Sequence, residues 1–269
     1  MKPSPFDIAA ETYDKDFTHS LIGQMQRKRV WQFLMPLLQS YQRPLNILEI
    51  NCGTGEDALQ LAKLGHNVTA MDASEQMILK AKQKKPESIV EDKLPRFITS
   101  SFSQIADYDF KKPFDLVISN FGGLNCVDEN DIRLLSKNLS HIVTTNGTLF
   151  LVVMSRSCLW EMLYYSLKGR FNKAFRRLQR SIPFRLHEHV MQIFYYAPRQ
   201  LTKLFLPAFT RVQTQPVGLF IPPSYLETTF AKRLTLLKAL NQWEIKFGFP
   251  FLSSLADHYC VILKKQPQA

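Results

Sequence analysis

The spacing of apolar residues changes from helical to strand-like and back several times along the chain. Between Leu21 and Leu38 the spacing is near-helical, which predicts a helix that ends before residues 43–44. Beyond it, short apolar runs predict strands at residues 45–50, 67–71, 96–99, 114–119 and 148–154. Helical spacing between the runs predicts helices at residues 56–64, 74–84 and 129–143. Apolar strands that alternate with helices are typical of a parallel sheet covered on both faces, so we expect an α/β core at residues 45–155.

The second half of the chain departs from this alternation in two long segments. Residues 156–197 are basic and aromatic, and residues 218–255 contain a predicted helix at 226–243. The core continues at residues 198–217 with a helix at 198–206 and a strand at 211–217, and residues 256–269 supply a last strand at 258–264 and a tail. Because the two segments are too long for ordinary connections, we expect them to form one helical and aromatic cap over the sheet.

The composition is that of a globular protein, with 45% hydrophobic and 12% aromatic residues among 269. The longest apolar run, residues 149–154, is far shorter than the roughly twenty residues that cross a bilayer. The N-terminus has no pattern typical of a secretory or transit segment, so we expect a cytoplasmic protein. The four cysteines lie far apart without a CxxC pair, so neither a disulfide framework nor a metal site is expected.

The charge is strongly positive, with 34 Lys and Arg against 23 Asp and Glu and a net charge of +11. Such a balance favours an anionic partner, which could be nucleic acid, membrane headgroups or an acidic substrate. Much of the excess lies at residues 156–185, where Glu161 is the single acid. Apolar residues at helical spacing there predict an amphipathic helix: Leu163, Leu167, Phe171, Phe175 and Leu178. Its basic face, which would include Arg176, Arg177 and Arg180, is either solvated or a surface that meets an anionic membrane.

A glycine-rich turn follows the first predicted strand and carries the candidate chemistry. The sequence there is ILEINCGTG at residues 47–55, and the second strand ends in Asp72. A strand that enters such a turn before a helix lets the backbone approach a ligand, and an acid after the second strand can bind a ribose diol. Gly53 and Gly55 also satisfy the GxGxxA pattern of dinucleotide sites. Glu49 argues against that alternative, because it has no role beside a pyrophosphate but could bind an ammonium group.

These segments resemble the class I S-adenosylmethionine-dependent methyltransferases of the small-molecule type. LEINCGTG is similar to the first motif of that family and VTAMDASEQMI to the second, and the resemblance covers residues 6–154 well and the last two strands more loosely. It implies a Rossmann-like, mostly parallel seven-stranded sheet with helices on both faces and a cap built from insertions. It also implies S-adenosylmethionine as the cofactor, with N-terminal helices at residues 1–44 that cap it.

The resemblance implies roles for individual side chains. Glu49 and the turn glycines would line the methionine part of the cofactor, and Asp72 would take both ribose hydroxyls. Tyr13 could cover the sulfonium with its ring, and Arg27 could pair with the cofactor carboxylate. The full set implied to bind the cofactor is Tyr13, Arg27, Glu49, Asn51, Gly53, Gly55, Asp72, Ala73, Met77, Ser101 and Asn120.

The sequence departs from the family pattern at three places. Asn51 replaces the usual first glycine of the turn, which the turn tolerates because Asn adopts positive φ readily. Ser101 stands where relatives often place an acid for the adenine amino group. The segment SNFGGLNC at residues 119–126 follows the fourth strand and lacks the proline of the Asn-Pro-Pro-Tyr-like element in base-methylating relatives. That absence disfavours a methyltransferase that acts on exocyclic amines of nucleic acids.

No residue is an unambiguous catalytic base. His19 follows the presumed N-terminal cap, and His187 and His189 could share one face of a strand, so these three are the candidates. In-line transfer from an activated sulfonium needs alignment and water exclusion, and needs a base only for a hydroxyl or a carbon acid. We therefore expect a methyltransferase for a small or lipid-like acceptor, with aromatic or anionic acceptors favoured. An RNA methyltransferase and a catalytically silent cofactor-binding module are the alternatives.

Overall fold

The computed structural model describes residues 5–186 and 189–267, and its first part is helical. The first elements are α1 (Pro5–Ala9), a π-helical turn (Asp14–Thr18) and the long helix α2 (Leu21–Ser40). Ser20 Oγ accepts from the Gly23 amide at 3.1 Å, and the Glu227 carboxylate accepts from the amides of Leu21 and Ile22 at 2.9 Å each. These bonds satisfy N–H groups that the start of a helix leaves unpaired. The helix predicted at 21–38 is confirmed.

The strands form one large sheet and one hairpin. Their bounds are β1 (Asn46–Ile50), β2 (Asn67–Asp72), β3 (Arg96–Thr99), β4 (Phe114–Ser119), β5 (Val143–Met154), β6 (Ser181–Leu186), β7 (His189–Phe194), β8 (Phe209–Val217) and β9 (His258–Lys265). Strands β6 and β7 pair with each other, and the other seven are ordered β3-β2-β1-β4-β5-β9-β8. Within that sheet β9 runs opposite to the other six strands, so its pairings with β5 and β8 are antiparallel and the remaining pairings are parallel. The predicted α/β fold with a mostly parallel seven-stranded sheet is confirmed.

Helices cover both faces of the sheet. The remaining helices are α3 (Glu56–Lys63), α4 (Glu75–Gln83), α5 (Glu129–Ile142), α6 (Leu159–Leu167), α7 (Phe171–Ala174), α8 (Pro198–Phe205), α9 (Glu227–Phe230) and α10 (Leu234–Phe247). On one face Leu135 of α5 and Leu201 of α8 are buried against the sheet. On the other face the sheet packs against Leu34 of α2, Ala62 of α3 and Ile78 of α4. None of the helices in the described part of the chain is long and apolar enough to cross a membrane.

The two segments expected to form the cap, residues 156–197 and 218–255, differ in detail from the sequence prediction. The single amphipathic helix expected across residues 163–178 is wrong, because α6 ends at Leu167 and Gly169 turns the chain with a φ of 68° before α7 begins. The helix expected at 226–243 is likewise divided into α9 and α10. The hairpin of β6 and β7 was not predicted. Single 3-10 turns occur at Glu91–Lys93, Phe102–Asp107, Gly123–Cys126, Arg176–Leu178, Ser224–Leu226 and Pro250–Leu255.

A buried ion cluster joins the cap to the last strand. Arg177 Nη2 donates to Glu161 Oε1 at 2.8 Å and to Asp257 Oδ1 at 2.7 Å, and Arg176 Nε donates to Glu161 Oε2 at 2.9 Å. The expectation that Arg176 and Arg177 form a solvated or partner-facing surface is therefore wrong. Arg177 is buried and Arg176 is half-buried because both pair with the buried acid of this segment, whereas Arg180 is exposed.

Removing Arg177 should destabilise the protein strongly. We expect Arg177→Gln to lower the free energy of unfolding by about 3–5 kcal/mol, since it removes the buried cation that Glu161 and Asp257 share. Arg180→Gln removes the same charge from an exposed site and should change the free energy of unfolding by less than about 0.5 kcal/mol. Urea unfolding of both variants measures the difference, and equal stabilities would contradict a structural role for the cluster.

The ion cluster of Glu161, Arg177 and Asp257 also predicts that the folded protein becomes less stable at low pH. Burial raises the pKa of Glu161 and of Asp257, but the basic side chains around them outweigh burial and hold both pKa values below the usual range. A carboxyl whose pKa is lower in the folded than in the unfolded state stabilises the fold at pH values above its unfolded-state pKa. This stabilisation is lost as the pH falls through the folded-state pKa. The wild type should lose stability below about pH 4 more steeply than Arg177→Gln.

Candidate functional site

The turn after β1 has three residues in the left-handed region. Asn51 has a φ of 53°, Gly53 of 54° and Gly55 of 77°. Asn51 adopts the positive φ that the sequence analysis expected of it. At Gly55 an added Cβ would lie 2.8 Å from the ring of Phe97 and 2.9 Å from the Cβ of Ala81, so no larger residue fits without displacing its neighbours. The turn is thereby packed closely onto α4 and β3.

The side chain of Asn51 ties this turn to the end of β4. Its Nδ2 donates to the carbonyl of Asn120 at 2.8 Å, and its Oδ1 accepts from Ser119 Oγ at 2.6 Å. Strands β1 and β4 are neighbours in the sheet, so the two segments after them meet at the carboxyl edge. A glycine at position 51 could not form these two hydrogen bonds, and the sequence did not predict them.

Asp72 ends β2 beside the same turn. Its Oδ2 accepts from the Gly53 amide at 2.8 Å and its Oδ1 from the Ser74 amide at 2.9 Å. Burial raises the pKa of this carboxyl, while the backbone amides oppose the rise. A carboxylate offers about four acceptor positions, so two remain for donors from a ligand such as a diol. Ala73 next to it is exposed.

Met77 and Ser101, two more residues predicted to bind the cofactor, lie around Asp72. Their polar groups form hydrogen bonds to residues nearby in the sequence. Met77 is buried in the first turn of α4, and its amide donates to Ser74 Oγ at 3.2 Å. Ser101 caps the short 3-10 turn after β3, where its Oγ donates to Gln104 Oε1 at 3.0 Å. The hydroxyl of Ser101 is therefore held against Gln104 in this conformation.

Glu49 is buried in β1 with one carboxylate oxygen unsatisfied. It is 2% exposed, and its Oε2 has no hydrogen-bond partner. Burial raises the pKa of this carboxyl well above its usual value, and the negative charges of Asp57 and Asp72 raise it further, whereas Arg27 lowers it. A buried polar atom without a partner is costly, so Glu49 is suited to bind a cationic donor.

Asp57, in the first turn of α3, holds the nearby arginine. It accepts from Arg27 Nη1, from Trp31 Nε1 at 2.7 Å and from Asn120 Nδ2 at 2.8 Å. Arg27 is thus committed to Asp57 rather than Glu49, although its Nε has no partner. Asp57 was not predicted as a site residue, because nothing in the neighbouring sequence distinguishes it from an ordinary acid at the start of a helix.

The N-terminal segment lies directly on the glycine turn. Asp14 Oδ1 accepts from Thr54 Oγ1 at 2.6 Å, and its Oδ2 lies 2.8 Å from Lys84 Nζ. A Cβ added at Gly53 would be 3.5 Å from the ring of Tyr13, which therefore covers the turn. Burial raises the pKa of the Tyr13 phenol, so the side chain stays neutral at physiological pH.

A row of rings extends from Tyr13 across the carboxyl edge. The ring centroids of Tyr13 and Phe17 are 5.7 Å apart, those of Phe17 and Phe121 are 4.9 Å apart, and those of Phe121 and His258 are 5.8 Å apart. The Arg27 guanidinium lies 5.1 Å from the Phe121 ring. Phe121 has a φ of 49°, which is strained for a bulky residue, and such strain persists mainly at functional sites.

The histidines named from the sequence are not brought together. His19 is exposed after the π-helical turn, His189 is half-buried at the start of β7, and His187 lies outside the described residues. His258 was not among the candidates predicted from the sequence. In the structure its Nδ1 lies 3.1 Å from Asp257 Oδ2. It begins the antiparallel strand β9, which places it at the carboxyl edge of the parallel strands. An imidazole at this edge is a candidate general base for a reaction there.

Comparison with known proteins identifies the family. A family model described as a methyltransferase domain matches residues 47–147. An uncharacterized methyltransferase of Schizosaccharomyces pombe (strain 972 / ATCC 24843) is 32% identical over 123 residues, which cover 46% of this chain and 81% of that protein. The chain belongs to the class I S-adenosylmethionine-dependent methyltransferases. Its cofactor is S-adenosylmethionine, as the resemblance implied.

Other relatives of this methyltransferase differ in what their names say they act on. The tRNA 5-carboxymethoxyuridine methyltransferase of Escherichia coli (strain K12) is 30% identical over 119 residues, which cover 44% of this chain and 45% of that protein. The chain spans about half the length of that enzyme and of several other curated relatives. Magnesium protoporphyrin IX methyltransferase from Synechocystis PCC 6803, solved with bound SAH, superposes with a TM-score of 0.59 at 15% identity, covering 94% of this chain and 87% of that one. That likeness supports the fold.

The glycine turn predicts a graded response to alanine substitution. Gly55→Ala should cost about 1–3 kcal/mol more stability than Gly65→Ala, because both positions have positive φ but only Gly55 is packed against other side chains. Thermal or urea unfolding measures the two variants side by side. Equal losses would contradict the close packing of the turn.

Proposed function

We propose that this methyltransferase transfers a methyl group from S-adenosylmethionine to a small or lipid-like acceptor at the carboxyl edge of its sheet. The observation that carries the proposal is the buried Glu49 carboxylate with its unpartnered Oε2. The ammonium group on the methionine part of the cofactor would supply the missing donor and the missing positive charge. The bound cofactor supplies a sulfonium methyl group that an acceptor nucleophile takes by in-line displacement.

In this proposal the first and second strands hold opposite ends of the cofactor. Glu49 binds the ammonium group, the backbone of the turn at Asn51, Gly53 and Gly55 approaches the methionine part, and Asp72 accepts from the ribose hydroxyls. The two acceptor positions left on Asp72 support its part in the assignment. The adenine side would be bordered by Ala73, Met77 and Ser101.

The N-terminal segment would exclude water from the reacting atoms. Tyr13 already covers Gly53, and Asp14 fastens the segment to Thr54 and Lys84. Arg27, whose Nε is unpartnered, would meet the cofactor carboxylate while Asp57 and Asn120 hold it in place. Closing a site in this way strengthens the electrostatic interactions within it.

The side chains beyond Asn120 support an apolar acceptor. Phe121 follows it, and Cys126 and Met154 pack against a buried cluster that includes Ile182 and Ile193 of the hairpin. The members of this cluster are apolar or aromatic. For an acceptor that must lose a proton, His258 is the group that we propose as the base.

Label transfer tests the acceptor class. Purified protein is incubated with methyl-labelled S-adenosylmethionine and either a total lipid extract or total RNA. We expect label in the fraction soluble in organic solvent and little label with Asp72→Asn, since that variant weakens the proposed ribose contact. Label in the RNA fraction would instead support the alternative that the charge of +11 and the Escherichia coli relative favour. No label in either reaction, with the cofactor bound, would support a catalytically silent module.

The raised pKa of Glu49 predicts pH-dependent cofactor binding. Only the ionised carboxylate pairs with an ammonium group, so affinity for S-adenosylhomocysteine should still be rising as the pH increases from the usual carboxyl range toward neutral pH. The amino group of the ligand stays protonated over that range, since such groups have pKa values near 8. Glu49→Gln should bind about tenfold more weakly at pH 7, with a flatter pH profile.

Calorimetry measures these affinities, with NAD as a ligand that should not bind. Glu75→Gln removes the same charge from an exposed position at the start of α4 and serves as the matched control. If Glu49→Gln bound the ligand as wild type does across the whole pH range, Glu49 would have no part in the site.

A further inference from the structure

Helix α6 is oriented with its acid inward and its leucines outward. Glu161 is 1% exposed and lies in the buried ion cluster, and Trp160 packs into the interior. Leu159, Leu163 and Leu167 share the opposite face at a spacing of one helical turn, and they are 37%, 56% and 88% exposed. A surface helix normally shows the reverse arrangement, so this outward row of leucines needs an explanation.

More exposed apolar side chains follow α6 in the chain. Helix α7 packs against α6, and its Phe171 is 60% exposed, while Phe175 and Leu178, which follow it, are more than 40% exposed. We call the following set the anchor face: Leu163, Leu167, Phe171, Phe175 and Leu178. Contiguous exposed apolar surface on a protein commonly marks a site for a partner or a membrane.

The exposed charged side chains between residues 156 and 186 are all positive. Lys168, Arg170, Lys173 and Arg180 are exposed, and the single acid between residues 156 and 186, Glu161, is buried. A second copy of this chain would bring like charges together, which disfavours self-association through this face. The charge instead complements an anionic partner.

Tyrosine and lysine side chains pair beside the leucines. Lys168 Nζ donates to the Tyr164 hydroxyl at 2.5 Å and lies 4.2 Å from the centre of that ring, and Lys173 lies 5.9 Å from the Tyr165 ring. Tyrosine and lysine are amphipathic and are favoured at the boundary between lipid tails and water. A nucleic-acid partner would explain the lysines but not the outward leucines, because base and phosphate recognition uses polar and aromatic side chains.

We infer that the anchor face docks onto the surface of an anionic lipid membrane. The apolar side chains enter the boundary between headgroups and acyl chains, and the four basic side chains meet lipid phosphates. The buried cluster of Glu161, Arg177 and Asp257 joins α6 to the residue before His258, so the docked face is fixed relative to the carboxyl edge of the sheet. The inference does not rest on the proposed methyl transfer, because it concerns contact with the bilayer alone.

Cosedimentation with vesicles tests the inference. Vesicles of phosphatidylcholine alone are compared with vesicles of equal parts phosphatidylcholine and phosphatidylglycerol, at low and physiological salt. We expect binding to the anionic vesicles, weakened but not abolished by salt because apolar insertion is unaffected by screening. Leu163→Gln with Leu167→Gln, and separately Lys168→Gln with Arg170→Gln and Lys173→Gln, should each weaken that binding by about tenfold or more.

Two matched control variants remove the same kinds of side chain from the surface of the α/β core (residues 45–155). Leu64→Gln with Leu79→Gln replaces two partly exposed leucines of α3 and α4, and Lys63→Gln with Lys111→Gln and Lys112→Gln removes three exposed charges. Both control variants should bind vesicles as wild type does. Unfolding curves and S-adenosylhomocysteine affinity should be unchanged in all four variants, which separates membrane contact from folding and from the cofactor site.

Three outcomes would overturn the inference. One is an absence of wild-type binding to either vesicle. Another is binding to tRNA that the basic variant loses and the leucine variant keeps, which would indicate a nucleic-acid surface. The third is a dimer in solution that the leucine variant converts to a monomer, which would show that a second copy covers the face.

Discussion

The buried carboxylate of Glu49 is the constraint around which the candidate site is organised. It lies in the first strand among other acids, and Arg27, the cation that acts on it, donates to Asp57 instead. Burying a carboxylate without its own cation costs stability, and a fold retains such a group mainly where a ligand compensates for it. In our proposal the ammonium group of the cofactor supplies this positive charge, which connects the electrostatics of the site to the chemistry of the family.

The other parts of the site follow from where parallel strands end. Strands β1, β2 and β4 deliver the Asn51 turn, Asp72 and Asn120 to the same edge, and side-chain bonds across that edge hold the three segments together. The N-terminal segment then closes over the turn through Asp14. Because β9 runs the other way, it brings His258 to the same edge, and the cluster at Asp257 connects this edge to the cap.

The sequence was sufficient for features that depend on local pattern. Apolar periodicity predicts the core strands and helices to within a few residues, and the glycine turn with Glu49 and Asp72 predicts the family. Features that depend on distant partners were missed. Arg177 turns inward because Asp257, eighty positions away in sequence, lies beside it, and the leucines of α6 face outward because Glu161 is needed inside. Helical spacing alone cannot indicate which face of a helix is buried.

A structure of the protein with bound S-adenosylhomocysteine would show whether Glu49 and Asp72 hold the cofactor. We expect the amino group of the ligand to lie within hydrogen-bond distance of Glu49 Oε2 and both ribose hydroxyls to donate to Asp72. A ligand bound elsewhere, or bound at this edge with Glu49 still unpartnered, would contradict it.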